Sequence, residues 1–208
     1  MDYWDAAVRE LGERDPLLGA LIRGYPAEDR LRGNGDPFVT LSNAIVGQQI
    51  STAAAEGIWK RLTGRFPALS AVQIAAAPAE ELRACGLSGR KAEYLGGIAQ
   101  AIVRGDLDLA ALESAEDDAV RERLCALRGI GPWTSEMFLI FHLRRPDVLP
   151  IGDIGLLRGC QRLYGWPEDI PAAELRERVL GRGELWRPWR TVATWYVWRS
   201  LDANPIVY

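Results

Sequence analysis

Apolar residues recur at three- and four-residue intervals along nearly the whole chain, and nowhere do they alternate convincingly with polar ones as a strand requires. That period places one apolar stripe on each of a series of amphipathic helices. It predicts helices over about 3–11, 16–23, 37–46, 50–63, 78–84, 89–104, 117–127, 132–144, 153–163, 172–180 and 188–201. The punctuation agrees. Arg32-Gly33-Asn34-Gly35-Asp36-Pro37 is a turn with proline at the first position of the helix that follows. Ala77-Pro78 opens a short helix with Glu80 and Glu81 in its first turn, where the helix dipole favours anions. Gly105-Asp106 and Gly165-Trp166-Pro167 break the chain after helices. With no long linker, low-complexity tract or obvious repeat, the expectation is an all-α, two-lobed globule.

At 208 residues and 48% apolar content, the chain is large enough to bury a real core. No apolar run approaches the roughly 20 residues of a membrane span, and the acidic start Met1-Asp2-Tyr3-Trp4-Asp5 lacks a secretory layout. A cytoplasmic protein is expected. Cys85, Cys125 and Cys160 are odd in number and far apart, which suggests neither a disulfide framework nor a zinc site. The net charge of -3 alone argues against a polyanion partner. Its distribution changes the picture: residues 1–127 carry 14 bases against 19 acids, whereas 128–199 carry 11 against 8.

The sharpest local feature is Leu127-Arg128-Gly129-Ile130-Gly131-Pro132-Trp133 between two helical segments. Two glycines around one apolar residue permit a tight turn, Ile130 can plug the core beneath it, and the next helix starts at Pro132 with free N–H groups. Such a corner is either a plain helix–turn–helix or a phosphate cradle built from backbone amides. Downstream, Pro150-Ile151-Gly152 ends a loop and leaves Asp153 where a helix begins. Asp153 is either an N-cap or a carboxylate pushed into a cleft. His142, the only histidine, falls late on the second hairpin helix near Phe138 and Phe141, which suits packing or surface. Arg128 and Arg158 suit phosphate contacts or solvent equally well.

A Gly-Ile-Gly hairpin, then Trp133-Thr134, then Pro150-x-x-Asp153 some twenty residues on resembles the helix-hairpin-helix DNA glycosylases, and among them the DNA-3-methyladenine glycosylase II family. Three more stretches carry the resemblance: Ala44-Ile45-Val46-Gly47-Gln48-Gln49-Ile50-Ser51, Gly86-Leu87-Ser88-Gly89-Arg90-Lys91-Ala92-Glu93-Tyr94-Leu95, and Trp186-Arg187-Pro188-Trp189-Arg190-Thr191-Val192-Ala193. It runs from about Phe38 to Leu201, and the chain looks like a minimal form without an extra N-terminal domain. The resemblance implies one unit over 1–208, with lobes at 38–127 and at 1–37 plus 128–208 and an active-site cleft between them.

It further implies base-excision repair: hydrolysis of the N-glycosidic bond of alkylated purines of the 3-methyladenine and 7-methylguanine type, after base flipping. Asp153 would be catalytic. One carboxylate suffices for a cationic leaving base, because it need only stabilise an oxocarbenium-like sugar and orient water. The aromatic wall of the base pocket would come from Trp133, then Trp189 and Trp186, since aromatic faces attract cations; each Trp also suits a half-buried core position. DNA contacts would involve Gln48, Gln49, Arg128, Gly129, Ile130, Gly131 and Thr134, with Gln49 at the inserting position; alternatively Gln48-Gln49 caps the helix through residue 63. The family's lyases carry a lysine where Trp133 stands, so no lyase step is expected. No cofactor is required and no iron–sulfur cluster is expected, although the carbonyls of Cys125, Leu127 and Ile130 are a candidate structural site for a monovalent cation. Double-stranded DNA with alkylated bases is the expected partner, with no membrane and no obligate protein partner. Two rivals are a glycosylase of the same fold for mismatched, deaminated or oxidised bases, and a non-catalytic damage-binding module.

Overall fold

The computed structural model describes residues 3–33 and 35–201. Among them the chain forms α1 (Trp4–Arg14), α2 (Pro16–Arg23), α3 (Pro37–Gly47), α4 (Thr52–Arg65), α5 (Ala71–Ala76), α6 (Ala79–Ala84) and α7 (Gly89–Arg104). A short 3-10 turn at Ala110–Leu112 precedes α8 (Asp117–Cys125), α9 (Pro132–Phe141), α10 (Ile154–Leu163), α11 (Ala172–Leu185) and α12 (Arg190–Arg199). No strand occurs among the described residues, and none of the described helices is long and apolar enough to cross a membrane.

The helix starts follow local chemistry. Asp15, Asp36, Ser51, Ser70, Ser88 and Asp153 each accept a backbone N–H three residues on, satisfying one of the orphan donors of the first turn. Proline opens α2, α3 and α9, where its missing N–H costs nothing. Gly105, at φ 80°, closes α7 in the left-handed conformation. The helix expected from residue 50 starts at Thr52 because Ser51 caps it. The six-residue α5 was too short for its periodicity to register.

The described residues fall into two compact units, 35–143 and 3–33 with 144–201. In the first, α3 lies against α4, α7 and α9, α5 and α6 lie against α7, and α8 lies against α9. Its core includes Leu41, Ile45, Leu95, Met137, Phe138 and Phe141. The lobe boundary expected at 127/128 is therefore corrected to 143/144. The hairpin helix α9 buries Thr134, Ser135 and everything from Met137 to Phe141, and its packing partners α3 and α8 belong to the same unit. In the second unit α1 packs on α2 and α12, α2 on α12, and α10 on α11 and α12. Trp4, Leu11, Leu18, Trp186 and Trp195 are the large side chains of that core.

Candidate functional site

The loop after α9 delivers Asp153 through tight local bonds: Ile151 N–H to Leu149 O, and Asp153 N–H to Pro150 O at 2.8 Å. Asp153 has an extended backbone (φ -81°, ψ 120°) and is half-buried. Its Oδ1 accepts the Leu156 N–H at 2.6 Å and the indole N–H of Trp198 at 2.8 Å. The first bond makes Asp153 the N-cap of α10; the second ties it to α12, which is 45 residues away in sequence. Two glycines on α10 make room for that tie. A Cβ on Gly155 would stand 3.0 Å from Asp153 Oδ1 and 3.3 Å from Trp198 Cδ1, and one on Gly159 would stand 2.4 Å from Val197 Cγ1. Larger residues at either place would press α12, and Trp198 with it, away from the carboxylate.

In the other unit, a turn and a hairpin are held by shared supports. α3 ends at Gly47, and Gln49 follows at φ 57°, a left-handed conformation that L-residues seldom adopt. Gln49 is exposed, as is its neighbour Ile50. Beneath them Lys91 Nζ donates to Val46 O and Gln48 O, both at 2.7 Å. The Gln48 amide points inward and donates to Gly129 O and Thr134 Oγ1, both at 2.9 Å. Gly129 itself has φ 93°, and a Cβ there would lie 2.1 Å from Tyr94 Cγ, so only glycine fits on both counts. Burial lowers the pKa of the Lys91 ammonium.

Several expected site residues land elsewhere. Trp186 is 0% exposed and donates to Asp15 Oδ2 at 3.2 Å; a ring with no accessible face offers nothing to a base, so its pocket assignment is withdrawn. Trp189 is half-buried, stacks on Tyr3 at 5.7 Å and donates to Glu10 Oε2 at 2.9 Å. One ring face is thus taken by Tyr3 and the N–H edge by α1. Trp133 is half-buried at the second position of α9. The Thr134 side chain is 2% exposed and accepts from Gln48, which leaves its backbone N–H in the first turn of α9 for DNA. Ile130 is buried and plugs the core as its apolar side chain requires, and its N–H is taken up by Leu127 O. Arg128 is largely exposed and pairs with Glu93 at 2.6 Å, Gly131 N-caps α9, and Arg158 is exposed on α10. His142 lies against Phe138 at 4.8 Å between ring centroids, in a packing contact.

Sequence reasoning missed Trp198, Lys91 and Tyr94. The Gly155/Gly159 pair, one helical turn apart, was the available sign of a close helix approach behind Asp153. Lys91 carried a sign too, as one of two lysines in a chain whose other cations are arginine. Among the described residues no cluster of three or more His, Cys, Asp or Glu could hold a metal. Of the hairpin carbonyls considered for a cation, that of Leu127 accepts the Ile130 N–H at 3.1 Å, which leaves its second lone pair for an ion.

Residues 43–187 match the family model described as "HhH-GPD superfamily base excision DNA repair protein". The chain is 36% identical over 196 residues to DNA-3-methyladenine glycosylase 1 of Schizosaccharomyces pombe, covering 91% of this chain and 83% of the relative. Among solved structures, a 3-methyladenine DNA glycosylase of the same yeast in complex with abasic DNA superposes with a TM-score of 0.82 at 32% identity, covering 94% of this chain and 96% of that one. A DNA-3-methyladenine glycosidase from Bacillus halodurans gives a TM-score of 0.74 at 36% identity, covering 93% and 88%.

Proposed function

The chain belongs to the HhH-GPD superfamily of base excision DNA repair proteins, and from that premise we propose that it is a DNA glycosylase that hydrolyses alkylated purines out of double-stranded DNA. The single observation that carries this reading is Asp153: a carboxylate at a helix start, held at Oδ1 by one backbone and one indole N–H. Both the loop bonds before it and the glycine-lined contact behind it fix its direction, as electrostatic preorganisation requires.

The chemistry follows from charge. A purine alkylated at N3 or N7 is cationic. When its N-glycosidic bond breaks, the bonding pair goes to the base, which leaves neutral, and positive charge moves to the sugar. The Asp153 carboxylate stabilises that sugar and accepts a proton from the water whose oxygen bonds to C1′. No acid is needed for the leaving group, so one carboxylate is enough. The base must first leave the stack. Gln49, presented at the tip of its turn, is the side chain we assign to the vacated space, and the half-buried Trp133 face remains the candidate wall for a cationic ring. Backbone N–H groups at the Gly129–Gly131 hairpin, which opens α9, would meet phosphate.

The reaction ends at base release. A lyase step needs a lysine amine placed at the sugar, whereas Trp133 stands where the family's lyases carry theirs and Lys91 is committed to two carbonyls. The carbonyls of Cys125, Leu127 and Ile130 would hold a monovalent cation beside a phosphate, in a structural role with no step routed through it. The test is chromatography of bases released from methylated duplex DNA. Free methylated purines are expected, leaving uncut abasic strands. Release only of deaminated or oxidised bases from matching duplexes would replace the substrate assignment, and binding without any release would overturn the enzymatic one.

A further inference from the structure

The Gln49 turn holds a conformation that its own sequence does not favour. Gln49 is neither glycine nor asparagine, and at φ 57° it carries a penalty of about 1–2 kcal/mol. Such a conformation persists only where the surroundings over-determine it. Here they are specific. Lys91 sits under the C-terminus of α3 and bonds the carbonyls on either side of Gly47, at the negative end of the helix dipole. One turn further along α7, Tyr94 packs against Gly129 in the hairpin. Gln48, the residue before the strained one, joins the turn to Gly129 and Thr134. The turn and the hairpin are therefore seated on one face of α7 and tied to each other directly.

We propose that Lys91 is a positioning residue for base flipping: it fixes the strained turn so that Gln49 is presented at a set distance from the hairpin's phosphate contacts. This rests on the glycosylase reading above and extends it. Lys91 acts through the turn, since its ammonium donates to two of the turn's carbonyls. Its burial beneath the turn is what makes its ammonium a fixed strut rather than a solvated surface charge; the lowered pKa reports the same desolvation. A free turn would sample the extended backbone, and Gln49 would reach the gap in the duplex only in a fraction of encounters, reducing the effective rate by that fraction.

The test is a double-mutant cycle on excision and on insertion. Single-turnover release of a methylated purine from duplex DNA is measured for wild type, Lys91→Met, Gln49→Ala and the double variant. Insertion is read separately by the fluorescence rise of 2-aminopurine placed opposite an abasic site. Lys91→Met is expected to slow release about tenfold and to reduce the fluorescence rise in proportion. In the Gln49→Ala background the same change is expected to cost less than about twofold, because its effect runs through Gln49. Lys91→Arg, which keeps a charged donor at the same place, is expected to restore most of both signals. Lys91→Gln, with its thermal midpoint measured alongside, serves as the main variant if Met lowers the midpoint below the assay temperature. An undiminished Lys91 effect in the Gln49→Ala background, or full insertion and full rate in a folded Lys91 variant, overturns the proposal. A wild type that inserts normally but releases no base sinks the enzymatic reading and leaves the positioning role standing on fluorescence alone.

Discussion

Replacing Asp153 in two ways separates its capping role from its chemistry. Asp153→Asn keeps an oxygen where Oδ1 stands, so the Leu156 N–H at 2.6 Å and the Trp198 indole N–H at 2.8 Å both retain an acceptor. Asn and Asp are about equal as N-caps, and the lost helix-dipole attraction is about 0.3–1 kcal/mol. Asp153→Ala removes the cap, about 0.5–2 kcal/mol, and leaves the indole N–H of the 4%-exposed Trp198 without that acceptor, about 1–3 kcal/mol more. The expected loss is therefore under about 1 kcal/mol for Asn and about 1.5–5 kcal/mol for Ala. At roughly 2–4 °C per kcal/mol for a chain of this size, calorimetry resolves the two. Excision should not follow that order. Both variants lack the negative charge that stabilises the developing sugar cation, and both should lose at least about 100-fold in single-turnover release. An Asn variant that releases base within threefold of wild type would reduce Asp153 to a helix cap. An Ala variant as stable as Asn would refute the two-donor account of how the carboxylate is held.

Other perturbations test other parts of the structure. Gly129→Ala puts a Cβ 2.1 Å from Tyr94 Cγ at φ 93° and should cost about 2–4 kcal/mol while weakening binding to abasic duplex DNA; unchanged melting and affinity would refute the close packing of hairpin on α7. Trp186→Phe loses the indole bond to Asp15 and should lower stability by about 1–3 kcal/mol with the excision rate of the folded protein retained; a collapsed rate at unchanged melting temperature would return Trp186 to the base pocket. Thiol labelling of the native protein should modify exposed Cys125 first. Cys85 and Cys160 are buried, and burial raises both their pKa values, so their thiolates form only at higher pH and their alkylation should lag until urea unfolds the chain. Equal labelling of all three thiols in the native protein at neutral pH would contradict that burial.

How much was legible differs from residue to residue. Helix starts were open to reading because caps are local: a serine, aspartate or proline acts on N–H groups within its own first turn, as Ser88 and Asp153 do. The hairpin and the helix-start carboxylate were legible for the same reason, and so was Ile130 as a core plug. Pairings across the chain were not. Trp198 reaches Asp153 over 45 residues and Trp186 reaches Asp15 over 171, and no periodicity tells which of eight tryptophans will meet a carboxylate. Gln48 and Gln49 are the same residue type side by side, yet one is tied inward to Gly129 and the other is turned outward at φ 57°. Lys91, 42 residues further along, bonds the carbonyls of the turn that parts them. The helices, their ends and the available chemistry depend on neighbours along the chain and could be read from it directly. Which side chains face the site and which fill the core depends on distant helices closing on small residues such as Gly129, Gly155 and Gly159, and that is a matter of three-dimensional packing.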